Sequence, residues 1–480
     1  MSAGDDLGTP PGLRARHRKS SVFAGVAAGS LALGLLVVVV LVFTTVREAG
    51  KLSYMHATAA TGLALSQRAG AVGEKSAYVT VAKVETGSAA EKQGLAIGDA
   101  LLAIDGRVVR EVHEVWSTIA ALPASDAPRR ITRVANVEAL LGELEAAPVP
   151  GQNGVFRARL AGVGSDTTAA RAGLRDGDVL VAANGTPLHG THQTWQSLVL
   201  AARASKEPVQ LAIERDGVPL TVSFAVRQEC ALPLVPSLGP ALWHFVTSLD
   251  EPRYPEFAGI ASAILGSLLV VFVTIVFAFP LGIATAVYLE EYAKRGRLTS
   301  LLQVLIANLA GIPSVVYGII GLEIIDRTIG LGRSVLAGGL TLGLLILPVM
   351  ILGCREALRT VPPWVRHAAF AIGATPSQVV WHQVLPYALP GMLTAMILAI
   401  SRAIGEAAPL IMLAYLFVTD LPRGLTDTFT VVPLQIFEWA TRPQSGYDTI
   451  AAVAILVLLA ILLLLNGTAI VLRNRFQLRW

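Results

Sequence analysis

Two cysteines in 480 residues, Cys230 and Cys354, are too few for a disulfide framework or a cysteine-based metal site. Charge is scarce too: 15% of residues are charged, against about 25% in a typical soluble domain. A single soluble domain is excluded. A nucleotide-binding P-loop is missing, because it needs Gly-Lys-Ser/Thr to hold phosphates and the only Gly-Lys here, Gly50-Lys51, is followed by Leu52. Neither His-Glu-x-x-His nor Gly-x-Ser-x-Gly occurs, which removes the usual constellations of a membrane protease.

What charge there is has a pattern. The balance of 38 Lys+Arg against 34 Asp+Glu gives +4, but residues 47–256 hold 42 of the charged side chains and residues 257–480 only 24. The chain therefore divides into a soluble part and a membrane part. A helix needs about 20 mostly apolar residues to cross a bilayer. Five uncharged runs meet that length, at 22–46, 257–289, 298–322, 334–354 and 449–472, and a sixth, 384–419, is interrupted only by Arg402 and Glu406. Six transmembrane helices are expected. The first run, at 25 residues, exceeds the roughly 7–15-residue apolar region of a signal peptide and no clean Ala-x-Ala follows it, so it reads as an uncleaved anchor.

Orientation follows from Lys/Arg bias in short flanks. With the N-terminus inside, segments 1–21, 290–297, 355–383 and 473–480 carry 13 Lys/Arg against 5 Asp/Glu, while the short outer loops 323–333 and 420–448 carry 4 against 6. Both termini are expected in the cytoplasm of a bacterial cell and residues 47–256 outside its inner membrane. The basic excess is topology and implies no nucleic-acid partner; membrane lipid is the expected surrounding.

The outer region contains a duplication. A shift of 79 residues superimposes residues 94–106 on 173–185 with seven of thirteen positions identical, and also pairs His113 with His192 and Trp116 with Trp195. Each copy reads as a strand, a short helix ending at Gly-Leu, a second strand, an Asp-Gly or Asn-Gly hairpin turn and a helix bearing the Trp as a core residue. The Gly-Leu-x-x-Gly-Asp-x-Leu core resembles bacterial PDZ domains, which bind extended peptides at a sheet edge. The resemblance implies a peptide or protein ligand and places a groove at Ala77, Tyr78 and Val79; modules that only pack are the other reading. The expected division is a tail at 1–21, a helix at 22–46, a linker at 47–76, PDZ-like domains at 77–150 and 151–230, a linker at 231–256 and a five-helix core at 257–480. Closing strands are clear in the second copy, around Asp216-Gly217, and not in the first. His189 and His192 lack a third ligand, so no metal site is expected.

Residues 355–388 form the longest inner loop. Arg355-Glu356-Ala357-Leu358-Arg359 leads through Pro362-Pro363 to His367-Ala368-Ala369, then Gly373-Ala374 and Leu385-Pro386. The pattern reads as two short helices meeting at a flexible Gly373, with small side chains that let the elbow approach a partner closely. It resembles the cytoplasmic coupling loop of ABC importer permeases, with His367 standing where that family's motif has Glu. The resemblance implies that His367, Ala368, Ala369, Gly373, Ala374 and Pro386 belong to a loop that meets an ATPase.

Residues 309–318, 401–410 (Ser-Arg-Ala-Ile-Gly-Glu-Ala-Ala-Pro-Leu), 434–440 and 472–480 narrow the likeness to the phosphate ABC permeases of the PstA type. This implies an α-helical polytopic protein with the type I ABC importer permease fold, carrying an inserted α+β extracytoplasmic region of two PDZ-like domains. It implies a transport subunit rather than an enzyme, without a cofactor of its own. ATP would be bound by a partner ATPase dimer (PstB type), beside a second permease (PstC type) and an extracytoplasmic phosphate-binding protein (PstS type). A permease for molybdate or sulfate and a phosphate-sensing scaffold are the alternatives. Arg402 and Glu406 are the candidate substrate path: charges inside a membrane helix are costly and need a partner or a water-filled path, spacing of four puts both on one face, and a guanidinium matches phosphate oxygens. A helix-packing ion pair is the competing reading.

Overall fold

The computed structural model describes residues 36–68, 78–123, 127–149, 155–165, 167–294, 296–416, 418 and 420–476. Four helices are long and apolar enough to cross a membrane: Ala261–Tyr292, Val335–Arg359, Pro376–Gly405 and Tyr447–Arg475. The first expected span is described only from residue 36, as a helix to 49 with a largely exposed surface; the tail 1–21 and residues 22–35 lie outside the described residues.

Two expected spans differ from the apolar runs that suggested them. The 298–322 run is not one helix but two, Arg297–Leu309 and Ser314–Thr328, bent by 102°. Proline explains it: Pro313 has no N–H to give and disfavours helix at Ile312. The Leu309 carbonyl, which Pro313 gives no N–H, accepts the Ile312 N–H at 3.2 Å and the Tyr317 hydroxyl at 2.8 Å. The 384–419 run likewise starts too late and ends too late, since its helix begins at Pro376 and stops at Gly405. Among the described residues the spans number four, or five if the bent pair counts as one, and the remaining expected span, 22–46, lies partly outside them.

Close packing in the bundle depends on small residues, as expected where lipid supplies no hydrophobic drive between helices. A Cβ on Gly339 would lie 2.5 Å from Val273, and beside it Thr274 donates to the Gly339 carbonyl at 3.0 Å. Pro280 and Pro348 lie inside their helices.

The insert consists of two antiparallel sheets. The first runs β1 (Leu63–Arg68), β2 (Tyr78–Val84), β3 (Ala100–Ile104), β5 (Arg129–Val134), β12 (Arg227–Leu232), with β4 (Arg107–Val108) on β3. The second runs β11 (Val218–Phe224), β10 (Val209–Arg215), β8 (Val179–Ala183), β7 (Phe156–Gly162), β6 (Glu143–Pro148), with β9 (Thr186–Pro187) on β8. Asp105, Asn184 and Asp216 have φ of 45°, 48° and 52°, each followed by a glycine near 80°. Two successive positive φ values are the hairpin geometry that Asp-Gly and Asn-Gly favour.

The strand pairing departs from the expected division of the insert. β6, within the 77–150 segment, pairs in the second sheet, and β12, which runs across the expected boundary at 230, pairs with β5 in the first. β1 lies in the expected 47–76 linker. The first unit does have closing strands, β5 and β12, separated in sequence by the whole second unit. The second unit is nested inside the first.

Period-two alternation then gives the first sheet two buried faces. Val79, Val81, Ile131, Cys230 and Leu232 join a core shared with Phe245, Trp439, Tyr447 and Ile450 of the helical region. Tyr78, Ala100, Leu102 and Val134 join the core of the second unit. Trp116 and Trp195 are 5% and 4% exposed, Trp116 in the first core and Trp195 in the second. The first sheet is the plate through which the insert is fastened to the bundle. Gly446, with φ 101°, permits this contact: a Cβ there would sit 2.7 Å from the Trp116 ring.

Candidate functional site

At the elbow end of the bundle, the helix Pro363–Ala371 is followed by Gly373 at φ 87°, a conformation that suits glycine. Thr375 and Gln378 then form a capping box that starts the next helix at Pro376. That helix is not short. It continues through one wide turn, Val380–Val384, into the span that ends at Gly405, so the elbow is the direct continuation of a membrane helix. His367, Ala368, Gly373 and Pro386 are exposed and Ala374 half-buried, but Ala369 is buried at 6% against the bundle. The outward surface is set by large apolar groups rather than by alanines: Trp364, Phe370, Ile372 and Trp381 are 68%, 50%, 86% and 68% exposed.

Beneath the elbow lies a charge cluster that the sequence pattern did not single out. The helix from Ala261 widens into a turn of π geometry at Tyr288–Tyr292, which carries Glu290 and Glu291. Glu290 accepts from Arg355 at 2.7 Å and contacts Arg359 at 3.1 Å. Glu291 takes Arg366 of the elbow helix through both oxygens, at 2.6 and 3.3 Å. Arg366 also donates to the carbonyls of Val361 at 2.8 Å and Leu358 at 3.2 Å, where the Val335–Arg359 helix ends. Adjacent glutamates just past an apolar span were the available signal, as were Arg355, Arg359 and Arg366 in the next inner segment, 355–388.

Arg402 and Glu406 do meet, with Nε to Oε1 at 3.3 Å. They do not share a helical face in mid-span. Arg402 is in the last turn, where a cation complements the helix dipole, and Glu406 is the capping residue beyond it at φ −85°, ψ 108°. Arg402 keeps half its side chain exposed and Glu406 about a fifth. The irregular stretch after them packs on the second half of the bent pair: a Cβ on Gly318 would lie 2.6 Å from the Pro409 carbonyl oxygen. Two broken helices therefore come together just past this ion pair.

Among the described residues of the PDZ groove expected at Ala77, Tyr78 and Val79, none is open to a peptide. Ala77 lies outside the described residues. Tyr78 and Val79 are 2% and 0% exposed, β2 is flanked by β1 and β3, and the Tyr78 ring packs edge-on to Trp195 at 5.6 Å. On that side the outer strand of the first sheet is β1, whose Leu65 N–H is directed at the Glu256 carboxylate. In both units the duplicated aspartate is a structural clamp: Asp99 holds Arg133 of β5, and Asp178 takes Arg215 of β10 in a bidentate pair at 2.7 Å. Burial pushes the Asp178 carboxyl up, but Arg215 and the Arg175 N–H outweigh it and leave it below its ordinary range.

The junction between insert and bundle holds three buried carboxylates, Asp250, Glu256 and Glu438; Arg442 pairs with Glu438 and acts on Asp250, whereas Glu256 is met by the Leu65 N–H. Arg442 contacts Glu438, donates to the Pro252 carbonyl and lies over the Tyr447 ring at 4.5 Å. Gln435 bridges Asp250 at 3.2 Å and Glu438 at 3.5 Å. Burial pushes Glu256 up to about 7. Burial and the Glu438 charge together push Asp250 up to about 6, against the pull of Arg442 and Gln435.

Residues 278–477 match the family of binding-protein-dependent transport system inner membrane components, and residues 80–127 match a PDZ domain. The phosphate transport system permease protein PstA 1 of Mycobacterium tuberculosis is 33% identical over 211 residues, 43% of this chain and 68% of that protein. PstA of Yersinia pestis is 31% identical over 223 residues, 46% of this chain and 74% of that one. The chain belongs to the family of PstA-type ABC permeases. A longer relative, the PstA homolog of Mycoplasma pneumoniae, is 36% identical over 165 residues, which are 33% of this chain and only a quarter of that protein. The elbow, the bent pair and the Arg402–Glu406 region all fall within the residues that match the permease family, whereas the PDZ-like insert precedes them. A PstA-type permease is a multi-pass inner-membrane transport component, and the apolar helices of this chain accord with that.

Proposed function

We propose that the chain is the permease subunit of an ATP-driven phosphate importer. The observation that carries this reading is the likeness to M. tuberculosis and Y. pestis permeases named for phosphate transport. It is supported by an exposed apolar elbow that continues directly into a membrane helix. A separate ATPase dimer seats on Trp364, Phe370, Ile372 and Trp381 and supplies ATP chemistry, the chain itself holding no cofactor. A second permease completes the channel and an external binding protein delivers phosphate. Both termini are cytoplasmic and the insert lies outside, in keeping with the Lys/Arg bias.

Within the path, Arg402 offers its guanidinium to phosphate, and Glu406 holds it when phosphate is absent. Its half-exposed position at a helix end, beside two broken helices, supports this role better than that of a buried packing pair. The decisive experiment is labelled phosphate uptake by the reconstituted four-part complex, with sulfate and molybdate as competitors. Uptake of molybdate and not phosphate would overturn the substrate. Arg402→Ala in an assembled complex should abolish uptake, and normal uptake would remove Arg402 from the path.

A further inference from the structure

The Arg366 guanidinium joins three elements at once. Its two-pronged contact with Glu291 reaches the end of the Ala261–Tyr292 span, its bonds to Leu358 and Val361 reach the end of the Val335–Arg359 helix, and its backbone lies in the elbow helix Pro363–Ala371. Both partners are largely withdrawn from solvent, at 23% and 11% exposed. Planar bidentate pairing fixes direction as well as distance, which a lysine cannot do. Glu290, one residue earlier, is committed to Arg355 and Arg359, so the two glutamates divide the labour: Glu290 ties span to span, and Glu291 ties span to elbow. The wide turn that carries them departs from α geometry, and such turns in helices concentrate at functional positions.

The next residue in the elbow, His367, is exposed and has no carboxylate to offer. The acid that orients the elbow therefore comes from another helix, 75 residues earlier in the chain. Apart from this clamp, the elbow helix is held to the bundle mainly through Ala369 and Val365. Those contacts are small and non-directional.

We infer that Glu291 and Arg366 are positioning residues that convert displacement of the elbow into movement of the Ala261–Tyr292 span. This rests on the permease reading for its transport consequence, though not for the clamp itself. When an ATPase moves the elbow, the guanidinium fork carries the displacement to the span end, while the apolar contacts alone would let the elbow slide.

The test uses the full chain in its reconstituted complex, with ATP hydrolysis and phosphate uptake measured together. Glu291→Arg and Arg366→Glu should each lower phosphate moved per ATP by about tenfold while hydrolysis persists, and the double exchange should restore most of it. Parallel loss of hydrolysis and uptake without rescue by the exchange would overturn the inference, as would an unchanged ratio. If the reversals do not assemble, Arg366→Lys keeps the charge without the fork; it should still lower the ratio, and a wild-type ratio overturns the proposal. Amide exchange in the purified full chain separates the clamp from the permease reading. Glu291→Gln should speed exchange of residues 363–371 by about fivefold or more, and unchanged exchange overturns the clamp. A wild-type complex that hydrolyses ATP without importing phosphate would instead sink the permease reading.

Discussion

The two ends of the bundle use the same side chains in opposite proportion. At the elbow end, Glu290 and Glu291 meet three arginines, with every carboxylate paired at hydrogen-bond distance. At the insert end, Arg442 pairs with Glu438 and acts on Asp250, Glu256 has no cation paired with it, and Glu256 Oε2 and Gln435 Oε1 are buried without a partner. Buried charges are costly unless matched, so the difference separates two tasks. The elbow end is a directional linkage built from matched pairs. The insert end is a seam whose excess carboxylates, Asp250 and Glu256, keep their protons to a higher pH than free carboxyls do.

Removing the Arg442 guanidinium should give the largest effect. Arg442→Met leaves Glu438 without its counter-charge, the Gln435 amide and the Tyr447 hydroxyl still reaching Glu438 and the Pro252 carbonyl, and breaking a buried pair from one side costs about 3–5 kcal/mol. The thermal midpoint of the purified chain in detergent should fall clearly, and an unchanged midpoint would show that the seam does not depend on this charge. Next comes pH. The Glu256 carboxyl rises from 4.5 unfolded to about 7 folded, so the folded state binds the extra proton. Its contribution is fully present below pH 4.5 and lost as pH rises to 7, a change of roughly 3 kcal/mol. Glu256→Gln should flatten stability between those values, leaving the smaller Asp250 slope below pH 6. An undiminished slope in the variant would place the titration elsewhere.

The elbow end supplies the counterpart. Glu290→Gln leaves Arg355, 7% exposed, short of a counter-charge, and about 1–3 kcal/mol of stability should be lost. Should this equal the Arg442 effect, the contrast between matched and unmatched ends would be weakened. The smallest effect belongs to the Arg327–Glu323 pair, both 63% exposed at 2.9 Å. Glu323→Gln should change stability by less than about 0.5 kcal/mol, a baseline for the other three.

Local pattern reached far into this molecule where chemistry and sequence lie close together. The Asp-Gly and Asn-Gly turns, the strands beginning at Tyr78, Phe156 and Val179, and the Gly373 elbow follow from residues that impose their own conformation. Features that depend on distant partners were not legible. The 102° bend is a separate case: Pro313 was its local signal, but a count of apolar run length passes straight through Ile312-Pro313 and takes the run as one span. Arg402 and Glu406 were correctly joined, but their spacing of four suggested a helix face where one of them is a cap. Glu291 and Arg366 are 75 positions apart, and β12 is separated from β5 by an entire folded unit; neither pairing leaves any local periodicity. Tyr78 and Val79 looked like a binding edge because the strand covering them, β1, belongs to a segment expected to be linker.

The nesting of one unit inside the other also sets a schedule for synthesis. β5 ends at Val134 and its partner β12 begins at Arg227, so roughly 90 residues must emerge in between, about 5–20 s of translation. Through that interval the second unit can close on itself, while the first waits with the β5 edge bare and liable to stray pairing. The late strand leads directly into the Leu238–Thr247 helix and the first core span. Completion of the plate is thereby timed to the arrival of the very helices it must grip.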